Sequence, residues 1–508
     1  MPSAIRTVDA LVTESGLDQA LDDIGAYVVR QRWSGAIGRA VREVRILDAL
    51  RIEEIETPTF FTVTRVSFDD GLQRDYALPL GHRPVGDPLA ERAPDFMIGG
   101  LAGDTPRFLY DAIGDPEYVR WLWRSAHREL RLQTAVAALR FRVFDAESLE
   151  RDLDPPLRVL GVEQSNTSMI LGEGTFLKHL RRVEPGPSQE LDMLAALGRA
   201  GFRHTAPLQA AALYEPSDAP PTPVVLIQPF LHNGTEGWTL ALTSLRMLYA
   251  ESEDLAVALG SGERRAAVEE HGGVFAPEAS RLGAVVAEMH RALAAPDLGD
   301  GFSPEPVATG ALRRWAEEMT CELDALLARP DPVLEQLRPH RDEIAARFAA
   351  VRSLAPTGQR IRIHGDLHLG QSMRTDSGWI ILDFEGEPDR TPAQRRRKTS
   401  PLIDVAGMLR SFDYAAAVAL AERILPQSAD WEGMLAYGEA WAQACREAFW
   451  ASYLATAGDS DLVPYPAAAA VLRRAFEMQK AVYETSYELG HRPSWAAIPI
   501  RFLLRSVS

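Results

Sequence analysis

The stretch Arg362-Ile-His-Gly-Asp-Leu-His-Leu-Gly-Gln371 decides the reading of this chain. It reads as a loop. Arg374-Thr-Asp-Ser-Gly378 follows as a turn, and Trp379-Ile-Ile-Leu382 as a short apolar strand that ends in Asp383-Phe-Glu-Gly-Glu-Pro388. The unit is a loop, a hairpin and a second loop. Such a hairpin brings two acidic loop ends together at the mouth of one cleft.

Asp366 and Gln371 are five residues apart, the separation between the Asp and the metal-binding Asn of a protein-kinase catalytic loop. Asp383 then stands where the Asp of the Asp-Phe-Gly loop would stand. On this spacing Asp366 accepts or orients an attacking hydroxyl, and Gln371 and Asp383 hold Mg²⁺ against nucleotide phosphates. Oxygen ligands beside phosphates suit a hard cation that keeps several waters.

Upstream, Arg158-Val-Leu-Gly-Val-Glu-Gln-Ser-Asn-Thr-Ser-Met-Ile-Leu171 reads as strand, polar turn, strand. Ser165, Asn166, Thr167 and Ser168 offer hydroxyls and backbone N–H groups to phosphate oxygens. Thr175-Phe-Leu-Lys-His-Leu180 is the next strand, and its Lys178 is placed to touch the α/β-phosphates. Glu190, at the head of a periodic run after Pro185-Gly-Pro187, is the expected ion-pair partner of Lys178, ahead of Glu184. Val224-Val-Leu-Ile-Gln-Pro-Phe-Leu231 is an apolar strand leading to a hinge, where backbone groups around Gln228 and Phe230 meet adenine.

Before this lies a small domain with β character. A helix is expected over 17–28, and strands over 42–47, 60–66 and 74–80, the last two joined at Asp69-Asp-Gly71. Residues 96–98 and 108–112 read as a connector to a helix over 118–130. Trp121 and Trp123, two apart, are expected on different faces of that helix, one in the core and one at the surface.

Beyond the hinge the chain reads as mainly helical, over 238–249, 281–293, 312–327, 339–350, 401–420, 431–455 and 473–490. Asp404 is expected to cap its helix or hold the catalytic loop, and Arg410 to be structural. His290 has no neighbouring ligand cluster and is not expected to bind metal. The basic run within 392–398 sits where an activation segment would cover a substrate cleft.

His364-Gly-Asp-Leu-His-Leu-Gly-Gln371, Asp383-Phe-Glu-Gly-Glu-Pro388 and Asp404-Val-Ala-Gly-Met-Leu-Arg-Ser-Phe-Asp413 resemble the maltokinase-type branch of the kinase-like superfamily. That branch is related to aminoglycoside phosphotransferases and includes actinobacterial kinases acting on maltose and on glucosamine. The resemblance covers most of residues 150–500. It implies an α+β, bilobal, protein-kinase-like fold with an N-terminal α/β cap domain. Residues 1–135 would be cap and connector, 136–230 the kinase-like N-lobe, and 231–508 a mainly helical C-lobe with the catalytic and sugar sites. It implies ATP and Mg²⁺ as cofactors, and it adds Gln164 to the phosphate-binding turn, within the recurring Gly-Val-Glu-Gln-Ser-Asn-Thr-Ser. It also places the sugar against the C-terminal lobe, where His368, Glu385, Glu387, Trp441, Glu447, Gln479, Tyr483 and Glu484 are the candidate contacts.

Composition limits the alternatives. The 508 residues exceed one ordinary core. A net charge of −17 argues against nonspecific binding to nucleic acid or an anionic membrane. The two cysteines, Cys321 and Cys445, make neither a disulfide framework nor a metal cluster. No secretory leader and no apolar run of spanning length is apparent, so a cytoplasmic protein is expected, as a monomer or weak dimer. The expected partner is a small sugar. A catalytically inactive, kinase-like binding protein would have lost one of Lys178, Asp366, Gln371 or Asp383, and all four are present. Two acceptors stay open: the 6-hydroxyl of D-glucosamine and the anomeric hydroxyl of maltose. Ser34-Gly-Ala-Ile37 and Gln479 depart from the maltose-kinase pattern, and Glu447 and Glu484 add acidity, so glucosamine is preferred.

Overall fold

The computed structural model describes residues 14–101, 105–134, 136–149, 152–160, 166–184, 186–252, 268, 275–387, 390–425, 428–458 and 460–507. They form two compact units, 1–195 with 206–231, and 196–205 with 232–508.

The first unit contains two antiparallel sheets. Strands β1 (Val41–Arg51), β2 (Thr59–Phe68), β3 (Gln73–Ala77), β4 (Leu80–Pro84), β5 (Met97–Leu101) and β6 (Arg107–Asp111) make one, ordered β1-β2-β4-β6-β5 with β3 on β2. β2 carries alternating large apolar residues to two cores. Phe60, Val66 and Phe68 pack with Tyr27 and Val28 of the Glu14–Arg30 helix. Phe61 and Val63 pack with Tyr118, Trp121 and Trp123 of the Pro116–His127 helix.

Two sequence expectations change here. Residues 97–101 and 107–111 are strands, not a connector, because Gly99 and Gly100 break the alternating pattern and the register shifts between Met97 and Gly99. Trp121 and Trp123 are both buried, at 2% and 0% exposure, because both sides of their helix are covered. Burying a large apolar side chain stabilises by roughly 1.5–3 kcal/mol, so covering both faces is favourable.

The second sheet is ordered β7-β8-β12-β13-β11-β10-β9, from β7 (Arg131–Gln133), β8 (Ala137–Val143), β9 (Leu157–Val159), β10 (Asn166–Leu171), β11 (Thr175–Leu180), β12 (Ala210–Pro216) and β13 (Thr222–Pro229). Leu139, Phe141, Met169, Leu177 and Ile227 of this sheet share one core with the Pro116–His127 helix. The expected cap and N-lobe therefore lie in a single unit, and β7 already belongs to the second sheet. A buried polar cluster also ties the two sheets. Arg181 Nη2 lies 2.8 Å from Asp111 Oδ2, its Nε donates to Thr167 Oγ1 at 2.9 Å, and its guanidinium lies 4.8 Å from the Trp33 ring.

In the second unit the Leu402–Ala421 helix is apolar on nearly every side, as an interior helix should be. It packs on the Gly237–Ser252, Trp431–Ala457 and Pro466–His491 helices. The last starts with Pro466 in its first turn, where a missing N–H costs nothing. Strands β14 (Thr235–Glu236), β15 (Glu305–Pro306), β16 (Gln359–Arg360), β17 (Ser372–Thr375) and β18 (Gly378–Ile381) complete the unit, with β14-β17-β18 as a small sheet. The β17-β18 hairpin is the one expected from the sequence, with Thr375 opposite Gly378 at its turn. Among the described residues, no helix is long and apolar enough to cross a membrane.

Candidate functional site

The loop holding Asp366 is fixed from beneath by Asp404. This residue lies in the first turn of the Leu402–Ala421 helix, and its two oxygens accept the N–H groups of His364 and Gly365, both at 2.8 Å. His290 Nε2 reaches Asp404 Oδ2 at 3.0 Å, and Tyr453 Oη lies 2.9 Å from His290 Nδ1. His290 is thus part of this support. Gly407 completes it: a Cβ there would lie 2.5 Å from the Leu367 carbonyl oxygen, so only glycine lets the helix approach the loop this closely. Of its two expected roles, Asp404 takes that of holding the loop.

The second acidic loop is hydrogen-bonded to the first. Leu382 N–H donates to the Gln371 carbonyl at 3.0 Å. His364 Nε2 donates to the Leu382 carbonyl at 2.8 Å, which leaves Nδ1 to accept the Asp366 N–H at 3.3 Å. Gln371 Nε2 donates to Asp383 Oδ2 at 3.0 Å. The amide nitrogen is the donor in that bond, so Oε1 is the atom by which Gln371 would hold a metal. Asp383 has φ +56°, an uncommon conformation for a residue with a side chain. Strain of this kind, about 1–3 kcal/mol, persists where the surroundings over-determine the backbone. An all-oxygen donor pair fits Mg²⁺.

Asp366 also meets a residue that the sequence reading missed. Lys480, on the Pro466–His491 helix, places Nζ 3.3 Å from Asp366 Oδ1 and 3.1 Å from Glu387 Oε1. Burial works to raise the Asp366 pKa, but Lys480, then His368 and His364, hold it below the ordinary carboxylate range. For Lys480 burial disfavours the charge, yet Asp366, Glu387 and Glu484 keep it protonated far above the ordinary lysine value. Burial lowers the His368 pKa, and its Nδ1 accepts the Gly370 N–H at 3.1 Å.

Asp366, Glu387 and Lys480 open onto a cavity of about 270 Å³. Gln479, Tyr483, Glu318, Glu322, Arg390 and Arg395 also line it. The basic run at 392–398 therefore contributes to this wall. Of the expected sugar contacts, Glu387, Gln479 and Tyr483 are brought here. Trp441 is not: it is fully buried, packs on Phe275, and donates from Nε1 to Ser244 Oγ at 3.1 Å. Its helix faces the interior at that position, which rules out a sugar platform. Glu447 is exposed and accepts from Gln443 at 2.7 Å, away from the cavity lining. Glu484 is held by Arg410 at 3.0 Å, consistent with the structural role expected of Arg410. Glu385 and His368 lie beside the lining without joining it.

In the first unit Lys178 Nζ lies 3.0 Å from Glu190 Oε1, so the expected ion pair forms. β11 carries the lysine opposite Ser168 and Leu226. Glu190 stands in the first turn of the Gln189–Arg199 helix, where a negative charge is favourable. Asn166, Thr167 and Ser168 are not turn residues. They form the buried first half of β10, and the Thr167 hydroxyl is directed inward to Arg181. Gln164 and Ser165 lie outside the described residues. At the end of β13, the Gln228 side chain donates to the Ala206 carbonyl at 2.7 Å, and the Phe230 N–H to the Gly174 carbonyl at 2.8 Å. Both groups are thus used within the unit.

Residues 27–115 match the family model of the maltokinase N-terminal cap domain, and residues 262–437 that of the phosphotransferase enzyme family. A glucosamine kinase of Streptacidiphilus jiangxiensis is 30% identical over 345 residues, spanning 66% of this chain and 70% of that protein. A glucosamine kinase of Mycolicibacterium smegmatis is 28% identical over 346 residues, spanning 67% and 77%. A solved structure of glucosamine kinase in complex with glucosamine, ADP and inorganic phosphate shares the fold. Its TM-score is 0.63 at 23% identity, over 90% of this chain and 94% of that one.

Proposed function

The chain belongs to the glucosamine kinase family, and from that membership we propose that it transfers the γ-phosphoryl group of ATP to the 6-hydroxyl of D-glucosamine. The observation that carries the choice of sugar is the cavity beside Asp366. It has a volume of about 270 Å³, enough for a small sugar. Glu318, Glu322 and Glu387 in its wall suit an ammonium, which is costly to bury unpaired.

In the proposed reaction the sugar hydroxyl oxygen attacks the γ-phosphorus as the bond to the β–γ bridging oxygen breaks, and the hydroxyl proton passes to Asp366. Lys480 keeps Asp366 ionised and ready to accept it. Lys178, oriented by Glu190, balances phosphate charge. Catalysis of this kind is mostly positioning and charge compensation. Gln371 and Asp383 would hold Mg²⁺, which supplies neutralisation of charge on the phosphoryl oxygens.

The test is a side-by-side screen of glucosamine, glucose, N-acetylglucosamine and maltose with Mg-ATP, with the product position read by NMR. Glucosamine is expected to give the highest kcat/KM, with phosphate on the 6-oxygen. Preferred turnover of maltose would replace this reading with a maltokinase. No product from any sugar would sink the choice of substrate class.

A further inference from the structure

The cavity wall holds more acids than a single amine needs, and the ion pairs separate them. Asp366 and Glu387 share the Lys480 ammonium, at 3.3 and 3.1 Å. Glu387 also receives Arg390 Nε at 2.9 Å. Glu318 lies 3.2 Å from Arg397. Asp404 accepts the two loop N–H groups and meets His290.

Glu322 differs from all of these. Its Oε2 accepts the neutral Gln479 amide at 2.8 Å. The nearest cation is Arg390, with Nη2 at 3.4 Å from Oε1, and that arginine is bound more closely to Glu387. Burial is the largest influence on the Glu322 pKa and raises it, against the opposing pull of Gln479 and Arg390. Glu322 thus has only a share of one guanidinium on Oε1 and a neutral amide on Oε2, so it still gains from an arriving cation, whereas Lys480 serves Asp366 and Glu387 directly.

We infer that Glu322, presented with Gln479, is the carboxylate that recognises the substrate's amine and sets the preference for an amino sugar. The inference rests on the amino-sugar reading above. It assigns selectivity to the Thr309–Leu327 helix, on which Glu322 sits, rather than to the acids of the second loop or of the last helices.

Glu322→Gln keeps an oxygen to accept from Gln479 and removes only the charge. Initial rates are measured with glucosamine and with glucose at pH 7, below the pKa of about 8 typical of such amines. KM for glucosamine is expected to rise by roughly 10²-fold, the effect of truncating one partner of a buried charge pair. The kcat for glucosamine and both constants for glucose should change by less than about threefold, as for a contact made equally in ground and transition states. Equal loss with both sugars, or an unchanged preference for glucosamine, would overturn the inference and leave the kinase reading intact. Wild-type enzyme inactive on glucosamine would overturn both. If E322Q does not fold, Glu322→Asp decides: a weakened preference supports the assignment, and an unchanged one overturns it.

Discussion

Two lysines in this chain pair with carboxylates at almost the same distance, yet they are different devices. Lys178 and Glu190 are 3.0 Å apart and only 8% and 6% exposed. Lys480 bridges Asp366 and Glu387, with exposures of 22%, 22% and 11% at the wall of a cavity. The first pair joins a strand to the next helix, twelve residues on. The second joins residues 114 and 93 positions apart. The buried pair fixes a geometry, while the partly exposed one sets the charge of a carboxylate at a cavity wall.

The largest effect should come from removing the shared carboxylate. Asp366→Asn keeps the shape but cannot take a proton, and kcat is expected to fall by about 10³-fold, within the range for a general base. Nucleotide affinity, read by calorimetry, should hold. A variant retaining full kcat would remove Asp366 from the reaction and reduce the Lys480 bridge to a structural tie.

Next comes the buried pair. Lys178→Met should lower kcat/KM for ATP by roughly 10²-fold, as expected when a preorganised charge contact is lost. It also leaves Glu190 buried without its cation, so the melting temperature should fall. Loss of stability with no change in the ATP constants would make this pair purely architectural.

The smallest effect, and the sharpest contrast, belongs to Lys480→Met. Because Lys480 depresses the Asp366 pKa, its removal should move the acid limb of the kcat profile to higher pH, with kcat at pH 8 falling by only about tenfold. Stability follows the same signs. The depressed carboxylate contributes above the unfolded Asp value of about 3.9 and loses that contribution as pH falls through its folded value. The raised lysine contributes fully below about 10.4 and loses that as pH rises through its own folded value. The stability gap between wild type and K480M should therefore be widest at intermediate pH and narrow at both extremes. A pH-independent gap would mean that Lys480 acts by packing alone.

The same contrast explains what could be read in the sequence. Lys178–Glu190 was legible because a strand, a turn and a helix lie in one short stretch, and chain order gives their proximity. The 364–371 loop, the β17-β18 hairpin and the second acidic loop were legible for the same reason. Lys480 was not, since a lysine within a helical repeat reads as a solvated side chain until the helix is docked. Trp441 misled in the opposite direction: an aromatic residue near a sugar-binding lobe suggests a platform, but burial put it in the core. Thr167 was read as part of a turn because the polar run Asn166–Ser168 hides a strand whose inward hydroxyl serves Arg181.

The sequence by itself determined the chemistry at short range: the spacing of Asp366, Gln371 and Asp383, the lysine on its strand, and Asp404 and Gly407 one turn apart. Each rests on backbone geometry that a few neighbouring residues specify. Tertiary structure alone decided which acids keep their charge available. Glu387, Glu484 and Glu322 are the same side chain, and nothing local separates them. One is paired with Lys480 and Arg390, one with Arg410, and one has a neutral amide on one oxygen and a more distant share of Arg390 on the other. Electrostatic interaction depends on distance and burial rather than on order along the chain, so those roles appear only once the helices are packed.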